Sequence, residues 1–371
     1  MADTRVVPVS SVKYGLKAET SFGVGLDTDL SSGGDTTNYL TQPVVQAAKP
    51  VFNITRESRL LSGRGTVKNA ADTIVNARGG TVTMPFEMLA TPRTLAQHCL
   101  LVGQENGQSG LIVHEMEIDG SSNNTSIGGT ISSGLPHSVN LGWYDGSSGG
   151  GIRVCGVVCS DLTISGDIGA NNGLLSISGN YFSGFSASSV AAGTYDASTT
   201  TAMEVNLAGT FVAAETTFYN VLDMDTRTLD VEGNAASAVV LKSFNFNIAN
   251  GVNRVGFDTN GNAEAYAFPE YAVTGDITIK YDDLHDFSAG TNVMQDFVDG
   301  DTLSLAMKIG DGTVSSEGEC NIAAEIQYTG DPALDLSENG LYLTLPFECV
   351  QNSSTEAFKI TSFKNEAVTV W

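Results

Sequence analysis

The feature that most constrains this chain is an internal duplication. Gly80-Thr81-Val82-Thr83-Met84-Pro85-Phe86-Glu87 aligns with Gly275-Asp276-Ile277-Thr278-Ile279-Lys280-Tyr281-Asp282 at an offset of 195, with apolar residues coinciding at every second position. Without a gap, Leu89 then falls on Leu284, Cys99 on Met294 and Val102 on Phe297. Upstream, Phe52-Asn53-Ile54 recurs as Phe246-Asn247-Ile248 at an offset of 194. Downstream, the run from Asp161 to Asp167 matches that from Glu325 to Asp331 at 164, and Asn172-Gly173-Leu174 matches Asn339-Gly340-Leu341 at 167. These matches keep the same order in both halves, so one supersecondary unit occurs twice. The offset falls by 31 between the two groups, and a Gly/Ser/Asn-rich tract at 119–151 in the first copy accounts for the difference. That tract reads as an enlarged loop or hairpin.

Each copy carries its own local code. Alternation at Val82, Met84 and Phe86, and at Ile277, Ile279 and Tyr281, predicts a half-buried strand in each. A helix is expected after each strand. In the first copy Thr91 is placed to cap it, Pro92 to open it, and Leu95, Cys99 and Val102 to form one apolar stripe. In the second copy the stripe is Val293, Met294, Phe297 and Val298, ending at Asp299-Gly300-Asp301. Further strands are expected over 154–163, 174–182, 203–212, 216–222, 239–248, 320–328 and 341–347. The expected fold is therefore all-β dominated, with β-sandwich modules that each carry a flanking helix. The segments expected are an N-terminal arm at 1–44, a first module at 45–182 containing the 119–151 insertion, a structured connector at 183–238, and a second module with the C-terminal segment at 239–371.

Charge excludes more than it selects. Asp plus Glu number 42 against 18 Lys plus Arg, a net charge of −24. Proteins that grip nucleic acid cluster basic residues against phosphates, and this chain does the reverse. The N-terminus has no apolar run of signal-peptide length and no stretch is long enough to cross a bilayer, so the chain reads as soluble, without membrane insertion. Five scattered cysteines, Cys99, Cys155, Cys159, Cys320 and Cys349, do not suggest a disulfide framework. Cys155 and Cys159, four apart on a strand, read as small buried hydrophobes.

Enzyme signatures are lacking: there is no nucleophile elbow, P-loop, zincin motif or dinucleotide fingerprint. His98, His114, His137 and His285 have no metal-ligand spacing, and the acid-and-amide turn Asp258-Thr259-Asn260-Gly261-Asn262 lacks the closing Glu of a calcium loop. No catalytic, cofactor-binding or metal-binding residue is singled out, no cofactor is expected, and the chain is expected not to be an enzyme.

The run from Leu241 to Val252, the run from Tyr271 to Asp282, and Val154 to Gly184 with its Cys-Gly-Val-Val-Cys-Ser-Asp-Leu-Thr-Ile-Ser-Gly core together resemble the tail tube (major tail) protein family of long-tailed bacteriophages. The likeness spans both modules, roughly Ala47 to Val350, as a pattern without a set of signature residues. It implies two tandem tube-like modules whose inner sheets join edge to edge into a ring-closed β-barrel. It further implies stacked rings in the virion tail, assembled in the host cytoplasm, with the genome passing transiently and non-specifically through the lumen. Implied partners are the chain itself, in rings of three because two modules are fused, and other tail proteins such as the tape measure and the tail terminator. The alternative from another class is a carbohydrate-binding or adhesin-like β-sandwich surface protein, for which Trp143 and Trp371 are the tryptophans on offer. A polysaccharide hydrolase would need paired carboxylates that the sequence does not single out.

Overall fold

A computed structural model describes residues 13–18, 39–42, 44, 50–58, 73–109, 113–118, 136, 138–144, 151–184, 203–205, 211–213, 222–224, 227–231, 240–256, 263–269, 271–281, 293–310, 319–338, 340–351 and 357–363. Two short strands come first, β1 (Lys13–Ala18) and β2 (Tyr39–Thr41). The first repeat then runs β3 (Val51–Ser58), β4 (Thr73–Leu89), α1 (Pro92–Val102), β5 (Gln104–Ser109), β6 (Val113–Ile118), β7 (Val139–Tyr144), β8 (Gly151–Asp167) and β9 (Ser176–Ser183). Between the repeats lie β10 (Met203–Val205), β11 (Phe211–Ala213) and β12 (Arg227–Val231). The second repeat comprises β13 (Leu241–Ala249), β14 (Asn253–Val255), β15 (Ala265–Ala267), β16 (Ala272–Lys280), α2 (Val293–Asp299), β17 (Leu303–Ile309), β18 (Glu319–Tyr328), β19 (Ala333–Glu338), β20 (Gly340–Cys349) and β21 (Phe358–Phe363). Pairings are antiparallel apart from β2 with β11. Among the described residues no helix is long and apolar enough to cross a membrane.

The duplication is visible in the order of strands. In the first repeat the neighbours run β3-β4-β9-β8, and in the second the corresponding strands run β13-β16-β20-β18. Register is not carried over with the order: Val82 lies opposite Ser183, whereas its counterpart Ile277 lies opposite Leu345. The first repeat has irregularities between Asn53 and Thr55 and between Cys159 and Asp161, each of which shifts the pairing locally. The two arrays are one sheet, because β8 pairs with β13 along Asp161–Asp167 and Ser243–Ala249.

That inner sheet is covered on one face by a second layer. In the first repeat β8 passes through both layers: its C-terminal half pairs with β9 and β13, and its N-terminal half with β7 and β10. The passage falls near Gly156, whose φ of 60° is costly for any residue with a Cβ. Tyr14 of β1 then lies over Tyr181 of β9, ring centroids 5.9 Å apart, and Val82, Met84, Leu141 and Val154 line a small apolar cavity between the layers. β18 makes a similar passage, pairing on one edge first with β21 over Glu319–Ala324 and then with β20 over Ile326–Tyr328, while β17 pairs with it over Cys320–Ile326. Phe246 of the inner sheet consequently meets Phe358 of β21 at 5.5 Å and Phe347 at 5.3 Å.

The expected helices form where the local code places them. Thr91 caps α1 through its side chain, which accepts from the Thr94 amide, and Thr94 returns the contact to the Thr91 amide in a capping box. Leu95, Cys99 and Val102 are all buried. α1 packs on β8, on its own β5 and β6, and on β21 of the second repeat, whose strand pairs with β6. α2 has less cover: Val293 is buried but Val298 is 69% exposed. Within the 119–151 tract, the residues of β7 form a strand bonded to both β1 and β8. Of the expected strand over 216–222 only Leu222 is described, where it is buried, and most of the N-terminal arm lies outside the described residues.

Candidate functional site

The face of the inner sheet turned away from the second layer is the surface on which the fold places the most consistent chemistry. Strand alternation sends Val82, Met84, Phe86, Leu162, Ile164, Ile177, Tyr181, Phe244, Phe246, Ile248, Ile277, Leu343, Leu345 and Phe347 inward, all buried. The residues between them point away from that core. The polar ones are Thr81, Thr83 and Glu87 on β4, Ser176, Ser178 and Asn180 on β9, Asp161, Thr163, Ser165 and Asp167 on β8, Asn245 and Asn247 on β13, Asp276 on β16, and Thr344 and Glu348 on β20, and Val51, Pro85, Phe182, Tyr342 and Pro346 share the face with them.

These polar side chains bond to one another across the strands. Ser165 and Ser176 hydroxyls are 2.9 Å apart, Thr278 and Thr344 hydroxyls 3.0 Å, and the Asn180 amide donates to both Asp161 carboxylate oxygens at 3.1 and 3.2 Å. Across the junction of the repeats, Thr163 donates to Asn247 at 3.4 Å. The Asp276 carboxyl is raised above its ordinary pKa by partial burial, an effect that a hydrogen bond from Asn245 opposes. Over the six strands, the acidic residues Glu87, Asp161, Asp167, Asp276 and Glu348 are spread along the face, whereas its lysines, Lys242 and Lys280, sit together at one end. Lys242 there lies over the Tyr342 ring at 4.6 Å.

Two glycines let the sheet keep this arrangement. A Cβ at Gly179 would lie 2.2 Å from the Asp161 carbonyl oxygen, and one at Gly275 would lie 2.2 Å from that of Asn245. Phe86 and Phe347 fill the space each glycine leaves on the core side.

The junction of the repeats has a dedicated residue. Asn250, fully buried, donates from its side-chain amide to the Cys159 carbonyl at 2.6 Å and to the Val102 carbonyl at the end of α1 at 3.2 Å, while its side-chain oxygen accepts from the Val252 amide at 3.1 Å. One side chain therefore ties α1, β8 and the end of β13 together. The β14–β15 hairpin adds a second tie, since the Tyr266 hydroxyl accepts from the Gly184 amide at 2.7 Å and donates to the Gly156 carbonyl at 2.5 Å.

The reactive side chains serve the core. His98 is fully buried, with Nδ1 2.6 Å from the Thr94 carbonyl and Nε2 against the Tyr181 hydroxyl, and burial lowers its pKa to about 4. It is thus neutral at physiological pH. His114 lies in β6, while His137, His285 and the turn at 258–262 fall outside the described residues. Cys99, Cys155, Cys159 and Cys320 are buried, and burial pushes the thiols of Cys99, Cys159 and Cys320 well up. Among the described residues no three His, Cys, Asp or Glu side chains gather as a metal site.

The sequence singled out no site residues, and the polar face was the feature it held without being read. Its signal was the identity of the intervening positions, most of which are Thr, Ser, Asn, Asp or Glu, interrupted by Val51, Pro85, Phe182, Tyr342 and Pro346. Comparison with protein-family models gives no match, and comparison with curated proteins gives none either.

Proposed function

We propose that this chain is a non-enzymatic structural subunit that polymerises into stacked rings, the tail tube of a long-tailed bacteriophage, through which the genome is delivered. The observation that carries the reading is the largely polar face of the inner sheet, continuous across both repeats, whose charged residues are acidic apart from Lys242 and Lys280. A DNA conduit must not hold its cargo. Proteins bind DNA by neutralising phosphates with Lys and Arg, which releases counterions, so a wall of hydroxyls, amides and carboxylates offers no such grip. Curling this sheet with its polar face inward would line a channel with Glu87, Asp161, Asp276 and Glu348.

The repeated strand order supports the assembly. The β8–β13 contact joins the last strand of one array to the first strand of the next, and repeating it between chains extends the sheet around a ring without leaving open edges. Three chains supply six arrays, which gives threefold symmetry resembling sixfold. The partners in this reading are other copies of the chain, and the tape measure and terminator proteins at the ends of the tube.

Electron microscopy of the purified protein tests the proposal. Rings or tubes with a central channel are expected, with better averages under threefold than sixfold symmetry. A discrete small oligomer without a channel would defeat the reading, as would a channel lined by Lys and Arg; six chains per ring would defeat the threefold count alone.

A further inference from the structure

The second repeat holds a buried carboxylate with an idle oxygen. Glu319 opens β18 at 1% exposure, and its Oε2 has no hydrogen-bond partner. A buried polar atom left unpaired costs stability and returns none, so packing alone does not account for it. Its other oxygen is fully engaged. Oε1 lies 3.1 Å from Lys308 Nζ and accepts from the Asn321 side-chain amide at 3.0 Å.

Strand register brings these three side chains together. Lys308 of β17 and Asn321 of β18 are direct cross-strand partners, and Glu319 stands two residues before Asn321 on the same strand, hence on the same face. Opposed Cβ atoms in an antiparallel pair are about 5 Å apart, which puts the Lys308 amine within reach of the Asn321 amide carbon. Both strands are also held from outside, β17 by β12 at Thr228 and β18 by β21 at Thr361. An amine and a primary amide held side by side can exchange the amide nitrogen, and fixed proximity removes much of the barrier to their meeting. What remains is a proton problem: the attacking nitrogen must shed protons while the departing one gains them. Glu319 Oε1 touches both nitrogens, which is the placement a general acid–base needs.

We propose that Lys308 and Asn321 become joined by an amide bond in a single self-reaction of the folded chain, with Glu319 Oε1 carrying protons from Lys308 Nζ to Asn321 Nδ2. The Nζ electron pair forms the bond to Asn321 Cγ, and the Cγ–Nδ2 bond breaks with its pair going to nitrogen. The Lys308 ammonium gives up two protons, both pass to Nδ2, and that nitrogen leaves as ammonium. Atoms and charge balance without an oxidant, a cofactor or water, and the Glu319 carboxylate is regenerated. Lys308 is partly exposed, which leaves ammonium a way out, and its dilution into solvent draws the exchange forward. The product staples β17 to β18 across the connection at 310–318 and removes one positive charge from the chain. It does not depend on the ring-forming reading and holds whether or not the chain polymerises.

Peptide mapping by mass spectrometry, on the full purified chain incubated at neutral pH, tests it. Cleavage after glutamate at Glu317 separates Lys308 from Asn321, so the bond appears as one branched peptide, lighter than its two arms together by one ammonia. Lys308→Arg and Asn321→Ala, each checked by circular dichroism for native fold, should abolish the branched peptide. Glu319→Gln, checked in the same way, should slow its formation by about a hundredfold or more. Separate arms in the parent after prolonged incubation overturn the proposal. A branch that joins Lys308 to a residue other than Asn321 overturns the pairing, and equal rates in the parent and folded Glu319→Gln overturn the proton-carrying role.

Discussion

Asn250→Ala is the perturbation that most directly examines how the two repeats are joined. The side chain makes three hydrogen bonds inside a fully buried site, so its removal deprives the Val102 and Cys159 carbonyls and the Val252 amide of one partner each. At about 1 kcal/mol per bond, the expected loss is about 3 kcal/mol, well above the ~1 kcal/mol of an ordinary substitution. An unfolding entropy of about 2 cal/mol/K per residue converts this into a fall of about 4 °C for 371 residues melting as one unit. Asn250→Asp keeps the size but turns a carboxylate oxygen toward two carbonyls, so it should melt lower than the alanine variant at neutral pH. Differential scanning calorimetry of the three proteins gives the ordering parent, Ala, Asp. An alanine variant melting within about 1 °C of the parent would show that the junction does not depend on this residue.

Two further outcomes follow from the geometry. Gly275→Ala would place a methyl 2.2 Å from the Asn245 carbonyl oxygen and 2.8 Å from the Phe347 ring, forcing β13 and β16 apart, and a loss of about 1–3 kcal/mol is expected by urea titration; an unchanged midpoint would contradict it. His98 is depressed from its ordinary pKa of 6.5 to about 4 by burial, so the unfolded chain binds its proton first as pH falls. Its contribution to stability is present above pH about 6.5 and is lost progressively down to about 4. Nuclear magnetic resonance titration of the His98 ring should show no protonation near neutrality, and a midpoint at the free-histidine value would overturn the assignment of burial as the cause.

Local features were legible in the sequence because they depend on neighbours along the chain. The Thr91 cap, the Pro92 start and the stripe of α1 are set within one helical turn or two. The same holds for Val82, Met84 and Phe86, whose alternation settles which face of β4 is buried. Alternation does not say which strand lies alongside. The pairing of β8 with β13, and that of Val113–Ile118 with Phe358–Phe363, join segments distant in the chain and left no local trace. β7 was hidden for a related reason: its sequence sits in a glycine-rich tract, and only its partners β1 and β8 make it a strand. Duplication revealed the order of elements but not the register, which the irregularities at Asn53/Thr55 and Cys159/Asp161 alter.

Covalent continuity between the repeats changes what the β8–β13 joint has to achieve. Its two sides meet at an effective concentration set by the chain between Asp167 and Leu241, regardless of how much protein a cell has made. The joint, built from the β8–β13 pairing with Asn250 and Tyr266 as ties, is therefore occupied in a lone molecule. A joint between separate chains has no such guarantee and must find its partner by diffusion, where long-range attraction between opposite charges speeds the encounter. In the ring-forming reading proposed above, fusing two repeats would make every second contact of the ring permanent and leave only the others to be found by diffusion.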